Sequence, residues 1–513
     1  MIKFSFSLPA EYEGDPLVEA AKRLKIKTYE RGEILKKSLD ARDKGDIRYA
    51  YTVAFSTDEE KKALRFGGTV WEKPDDSLQK ATEGVVYTGA RPVVVGEGPC
   101  GLFAALTLAY LGAKPILIER GRPIDERTAD VETFFATKRL DPDSNVLFGA
   151  GGAGTFSDGK LNTGTNSPYV STVLHELKKS GAPEEIVYLN KPHVGTDRLR
   201  DVVKDMERRI LSLGGEIRHE TKVTEVLTQG DRLVGIRTDK GDIATDRAYF
   251  AIGHSARDTF GMLYAKGVVM VPKTFSMGVR IEHLQRSVDV AQYGRERGNL
   301  PPADYKAAVE IGDGNRLYTF CMCPGGVVVN ASSEEGGVVV NGMSYYARDG
   351  KNANAALLVN VSEKDFGTHP LAGVEYQRQW ERRAFELTGT FLPPAQTFGD
   401  FLTGATNGFA EIAPSCLGGV VNADLNGVLP EAVARGIKIG VPLMGRRIKG
   451  FDAPQAVLTG PETRSSCPLR ILRDEKGCSS IRGLYPMGEG AGYAGGITSA
   501  AADGIRVVLA SLR

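Results

Sequence analysis

The stretch RPVVVGEGPCGLFAALTLAYLGAKPILIER (91–120) constrains the fold more than any other part of the chain. It runs from an apolar strand (Val93–Val95) through Gly96, Gly98 and Gly101 into a long Ala/Leu helix opening at Pro99 and Cys100. A second apolar strand follows and ends in an acid, Glu119, the order that a dinucleotide-binding βαβ unit requires. Gly96 permits the tight turn, Gly98 lets a pyrophosphate approach the backbone, and Gly101 lets the helix pack closely on the strand. The helix N-terminus then turns its free N–H groups toward phosphate. Glu119, 18 residues after Gly101, is placed to accept hydrogen bonds from a ribose diol and to repel a 2′-phosphate, with Arg120 beside it as a further contact.

Gly149-Ala150-Gly151-Gly152-Ala153-Gly154 repeats the glycine spacing, but the sequel TFSDGKLNTGTN offers neither a long apolar helix nor a second strand with a terminal acid. It is therefore expected to be a glycine loop touching the cofactor, through Gly151 and Gly152, and not a second nucleotide fold.

At 513 residues the chain calls for two or three domains. Residues 2–8 and 47–55 alternate apolar and polar and predict antiparallel strands. Asp15-Pro16 predicts a helix start between them, with Leu17, Ala20, Ala21 and Leu24 at helical spacing. A small α+β module is thus expected over 1–88, with EKPDDSLQKATEG (72–84) as its linker. Segments 216–229, 232–238 and 246–253 predict a β-meander returning to the main sheet, with Val223 near the cofactor. Runs 325–332 and 336–347 are β-like and fall in a separate substrate or cap region.

Charged residues make up 25% of the chain and the net charge is +1, so no overall field attracts nucleic acid or an anionic membrane. Segment 22–48 has ten Lys/Arg against five Asp/Glu, a local excess read first as a solvated helix face and only second as an RNA handle. Cysteines at 100, 321, 323, 416, 467 and 478 follow neither a disulfide framework nor a zinc pattern, so reduced thiols, a cytoplasmic location and no metal are expected. No apolar run of membrane-spanning length occurs, and no membrane partner is expected.

The glycine fingerprint alone does not separate FAD from NAD, because both offer an ADP moiety. Gly488-Glu489-Gly490, however, follows an apolar strand only 25 residues from the end, too close for another βαβ unit, so this loop serves the first cofactor. The segments VVVGEGPCGLFAAL, GAGGAGTFSDGKLNTG, AIGHSARDTF, CMCPGG, NGMSYYARDGKNANAAL, GPETRSSCP and GLYPMGEGAGYAGGITSAAADGI together resemble the poorly characterised FAD-dependent dehydrogenases of bacteria and archaea, distant relatives of glutathione-reductase-like flavoproteins.

The resemblance implies FAD, with Gly488 and Glu489 at the ribityl chain and Gly253 at the turn returning to the ADP end; no flavin-linkage motif is recognisable, so the FAD is expected to be non-covalent. Gly495, Gly496 and Ile497 would lie beside the pyrimidine edge of the isoalloxazine, where a helix N-terminus favours the negative charge of reduced flavin. The expected fold class is α/β: a Rossmann-like FAD-binding domain (89–272 and 455–513), an inserted α+β cap domain (273–454) and a ferredoxin-like N-terminal module. No second Rossmann fingerprint is present, so the expected reductant is either a transiently docking NAD(P)H or another molecule entirely.

The candidates for chemistry are Lys160, Arg348, Cys321 and Cys323. Lys160 follows the second glycine loop with Ser157 and Asp158, in reach of flavin or substrate. Arg348, with Asn352 and Asn354, reads as a carboxylate clamp or as a turn capping its own backbone. Cys321 and Cys323 form CxC and not CxxC, with no helix N-terminus to activate a thiol, which favours packing. His193 and His254 read as structural hydrogen-bonders. The expected function is hydride exchange between flavin and a small organic substrate. The alternatives are a flavin-dependent RNA-modifying enzyme and a non-catalytic flavin-binding regulatory protein.

Overall fold

A computed structural model describes every residue except Asp158 and Asp313. Ile2–Pro9 and Arg48–Ser56 pair antiparallel from Ile2↔Phe55 to Pro9↔Arg48, as the alternation predicts. With Arg31–Asp40 and Thr69–Val70 they form a four-stranded sheet in which Arg31–Asp40 is an edge. Asp15 caps helix Pro16–Arg23 by accepting the Leu17 N–H at 2.7 Å, and Ala20, Ala21 and Leu24 pack onto the sheet.

The basic segment is thereby corrected: its central part, Arg31–Asp40, forms that edge strand and not a helix face, while Lys22 and Arg23 end helix Pro16–Arg23. The strand is also docked, since Lys37 N donates to Tyr188 O at 2.8 Å and Asn190 N to Lys37 O at 3.0 Å. Such docking satisfies an otherwise open edge. The predicted linker likewise holds a short helix, Leu78–Ala81, whose Leu78 is fully buried against the main body.

The main body centres on a five-stranded parallel sheet in the order Leu484–Pro486, Ala248–Phe250, Val93–Val95, Ile116–Ile118, Glu216–Arg218. The four apolar strands are buried throughout, as expected of parallel strands covered on both faces. Helix Pro99–Tyr110 is buried from Cys100 to Ala109, because the C-terminal helix Ile497–Ser511 and helix Thr196–Ser212 both pack against it. The meander differs in one respect from expectation. Segment 216–229 splits into Glu216–Arg218, which joins the parallel sheet, and Val223–Gln229, which pairs with Arg232–Thr238 in a separate three-stranded sheet.

A seven-stranded sheet carries the remaining core, in the order Ala308–Gly312, Asn315–Cys323, Asn352–Val361, Phe275–Leu284, Val457–Glu462, Pro394–Thr397, Val421–Asn422. Among the described residues its register shifts between Gly278 and Arg280, between Phe320 and Cys323, and between Glu310 and Gly312. A bulge re-aims the side chains that follow it. The β-like runs at 325–332 and 336–347 become Val327–Asn330 and Val340–Met343, an antiparallel pair beside this sheet. Among the described residues, no helix is long and apolar enough to cross a membrane.

Candidate cofactor and thiol site

The glycines of the first motif are required by contact. A Cβ on Gly101 would lie 1.8 Å from the Gly96 carbonyl oxygen, and one on Gly96, at φ 95°, would lie 2.6 Å from the Ala251 carbonyl oxygen. Gly98 begins helix Pro99–Tyr110 without a side-chain cap, leaving its N-terminus available to an anion.

The second glycine loop is folded directly onto the first: a Cβ on Gly152 would come within 2.7 Å of Gly98 Cα. Gly151, at φ 80°, faces Thr155 of the same loop and Val203 of helix Thr196–Ser212. From the C-terminal side, Gly488 packs on Cys100 Sγ and Gly490 on the backbone of Gly253. Gly496 caps helix Ile497–Ser511, and Ile497 lies against Gly154. Three glycine-bearing segments distant in sequence thus converge on one groove. Asp503 holds this arrangement by accepting the Gly488 N–H at 2.8 Å. Burial pushes its carboxyl up, but Arg473 and that N–H outweigh burial and keep it below its ordinary range.

Glu119 has a larger structural role than the motif suggests. Its carboxylate accepts the N–H groups of Glu97 at 2.9 Å, Gly121 at 3.0 Å and Gly149 at 3.0 Å, tying the first glycine turn to the second loop. Since a carboxylate offers about four acceptor positions, roughly one is left for a ribose hydroxyl. Beside it, a small cavity of about 40 Å³ is bordered by Gly96, Glu119, Arg120, Thr221 and Val223. Arg120 lies 4.5 Å over the Phe148 ring and pairs with Asp258 at 2.8 Å.

A larger cavity of about 300 Å³ opens on the far side of Arg120 and Phe148. Arg257, Arg378, Glu334 and Glu381 wall it, with Arg257–Glu381 at 2.8 Å and Arg378–Glu334 at 2.8 Å. It adjoins the glycine-turn end of the groove, and Lys160 is not among its walls.

Two features escaped sequence reasoning. Arg127 is fully buried, and its guanidinium lies within hydrogen-bond distance of the carbonyls of Asn145, Val146, Gly149, Ala150 and Gly152 (2.6–3.1 Å) and of Thr155 Oγ1 (2.9 Å). Burial pulls its pKa down to about 9, with Glu119 and Glu97 opposing. No local pattern in IDERTADV marks this arginine as the template of a loop some 20 residues on. The second feature is the variable residue of the motif itself: Glu97 is fully buried and accepts from His219 Nε2 at 2.7 Å, with Glu207 3.5 Å from the same nitrogen. The trio has donor types suited to a metal, but the hydrogen bond joins those donors to one another.

Of the chemical candidates, Lys160, Cys321 and Cys323 come together: Lys160 Nζ lies 3.3 Å from Cys321 Sγ and 3.4 Å from Cys323 Sγ. The next residue, Leu161, accepts from Thr498 Oγ1 at 2.8 Å, which ties this segment to the start of the C-terminal helix. Asn352 and Asn354 are not a clamp with Arg348. They are strand residues committed to the buried Glu282 (2.9 Å) and Arg280 (3.1 Å), whereas Arg348 stands at φ 50° on a turn whose carbonyl packs on Gly325. His193 donates to Tyr345 O at 3.1 Å, and His254 meets Ser255 Oγ at 2.9 Å, both structural contacts. Asp158 lies outside the described residues.

The glycine cradle, the uncapped helix and the small cavity fit the ADP half of a dinucleotide, which defines a dinucleotide-binding class. Residues 274–465 match the family described as FAD-dependent protein, C-terminal domain-like, and FAD is the cofactor. The chain belongs to the same family as an uncharacterized protein of Clostridium beijerinckii, 46% identical over 490 residues that cover 93% of this chain and 91% of that one. Among solved structures it is similar to L-proline dehydrogenase from P. horikoshii, with a TM-score of 0.37 and 12% identity over 82% of this chain and 93% of that one. It is also similar to the flavin-dependent brominase Bmp2, with a TM-score of 0.38 and 14% identity over 83% and 79%.

Proposed function

We propose that this chain is an FAD-dependent oxidoreductase of the dehydrogenase type, exchanging hydride with a small organic substrate. The observation that carries the reading is the convergence of the three glycine-bearing segments, with Leu161, next to Lys160, accepting from Thr498 at the start of the C-terminal helix. In this reading Gly98, Gly152 and the first turn of helix Pro99–Tyr110 receive the pyrophosphate, and Glu119 and Arg120 the adenosine ribose. Gly488 and Glu489 hold the ribityl chain, with Gly495, Gly496 and Ile497 at the flavin ring.

FAD supplies the two-electron chemistry, and the protein supplies binding, orientation and electrostatics. Lys160 offsets the negative charge of the reduced cofactor, and the seven-stranded sheet carries the cover over the ring. NAD(P)H acts as a transient reductant, needing no fold of its own. We read the chain as 1–88, with the strand order of a ferredoxin-like module, followed by an FAD-binding domain (89–272 and 455–513) interrupted by a cap (273–454).

The test is a visible spectrum of the purified protein, then acid release and mass identification of the chromophore. FAD released at about one per chain supports the reading, and anaerobic reduction with NADH, NADPH and a panel of small oxidisable substrates follows. A colourless protein that free FAD does not restore would overturn it.

A further inference from the structure

We propose that Cys321 and Cys323 form a redox-active thiol pair, with Lys160 stabilising the thiolate, that exchanges two electrons with the flavin. The inference rests on the proposed function only for the identity of the electron acceptor.

The first observation is electrostatic. One ammonium group serves both sulfurs, and a second cation, the fully buried Arg280, stands 4.0 Å from Cys323 Sγ while donating to Cys321 O at 2.9 Å. Burial pushes the Arg280 guanidinium toward neutrality, but Glu462 and the two sulfurs more than offset it and keep the charge in place. Thiols beside Lys or Arg ionise more readily and become nucleophilic.

The other four cysteines provide the contrast. Cys416, Cys467 and Cys478 each bond a backbone carbonyl, as Cys323 Sγ also does to Cys321 O at 3.3 Å, but burial pushes these three thiols and Cys100 up. Those are packing cysteines.

The second observation is conformational. Cys321 holds φ 43°, in the left-handed region, at the bulge that shifts the register between Phe320 and Cys323. For a non-glycine residue this region is sterically disfavoured, which a cysteine serving only to fill a core would not require. The bulge leaves both sulfurs facing the same ammonium. Exposure then separates their roles, since Cys321 is partly exposed and Cys323 fully buried. Cys321 is the attacking thiolate and Cys323 the resolving thiol.

In the oxidative direction, the Cys321 thiolate and the Cys323 thiol join in an S–S bond. Cys323 gives up its proton, and the two electrons released pass with that proton to oxidised flavin. Reduced flavin reverses the step. The route is short because Lys160 adjoins Leu161, which is bonded to the helix start assigned to the flavin ring.

Two experiments on the full-length protein test this. The first follows iodoacetamide modification of Cys321 by peptide mass mapping across pH. Wild type should react well below the pH of an ordinary thiol, Lys160→Met should slow modification near neutrality by about ten-fold or more, and Lys160→Arg should preserve it. An ordinary thiol profile unaffected by Lys160→Met would overturn thiolate stabilisation, with the Arg variant and a thermal melt separating lost charge from lost fold.

In the second, protein whose thiols are reduced and whose flavin is oxidised is held without oxygen while the flavin band and the Cys321–Cys323 disulfide are followed together. Both should change in equal amounts in wild type and not at all in Cys323→Ser. Oxidised flavin coexisting with the free thiol pair would overturn the electron exchange. Failure of the FAD assignment itself would show separately, as no flavin in the acid extract, while the modification profile still reads the thiols.

Discussion

Glu97 Oε2 lies 2.7 Å from His219 Nε2, so the variable residue inside the first glycine motif is anchored to the strand end across the sheet. Burial pushes His219 down, but Glu207 and Glu97 overcome it and raise its pKa from 6.5 to about 10. Burial likewise pushes the fully buried Glu97 carboxyl up, and the trio titrates as a unit. A raised folded-state pKa contributes stability that is complete below about 6.5 and is lost as pH rises through about 10.

His219→Gln should therefore destabilise the protein by about 3 kcal/mol near neutrality, as expected when one member of a buried pair is removed. The gap in melting temperature between wild type and variant should shrink as pH approaches 10. A gap constant across that range would refute the assignment.

Arg127 should be irreplaceable even by lysine. One ammonium cannot serve acceptors spread around a planar fork, so buried carbonyls of the second glycine loop are left unpaired at about 1–3 kcal/mol each. Arg127→Lys should purify with markedly less flavin per chain, read as the ratio of visible to ultraviolet absorbance, while the far-UV circular dichroism is retained.

Gly152→Ala should abolish flavin retention. The substitution combines φ 65° with a Cβ at 2.7 Å from Gly98 Cα, forcing the two glycine loops apart. Gly164→Ala is the control, since a Cβ there meets nothing within 4 Å. Equal flavin content in both variants would show that the loop contact does not shape the site.

The ion-pair cluster of Arg257, Arg464, Arg378, Glu381 and Glu334 should govern acid stability. Burial pushes both carboxyls up, but the arginines outweigh it, holding Glu381 well below its ordinary range and Glu334 at about 2. Depressed carboxylates contribute stability above about 4.5 that is lost as pH falls toward 2. Glu381→Gln should cost about 3–5 kcal/mol at neutral pH, because it leaves two buried guanidiniums under-compensated, and should flatten the acid limb of the stability curve.

The first glycine turn, the N-terminal strands and the Asp15-capped helix were legible in the sequence because each is set by neighbours a few residues apart. Period-2 alternation, a capping carboxylate and a backbone that only glycine tolerates are all local requirements. The glycine spacing at 149–154 was legible as a glycine loop for the same reason.

What only the tertiary structure decided concerns groups that meet across long stretches of chain. Arg127 finds its acceptors on a different segment, and Lys160 finds its sulfurs more than 160 residues away. Glu97 meets His219 122 residues on. The same limit explains the errors. Residues 31–40 became an edge strand because Arg48–Ser56 offered backbone partners along their length, and Asn352 and Asn354 turned to Glu282 and Arg280 because the period of two puts all four on one face of neighbouring strands. Local sequence encodes backbone conformation, whereas the charge around a thiol or a carboxylate is fixed by whichever distant segment the fold packs against it.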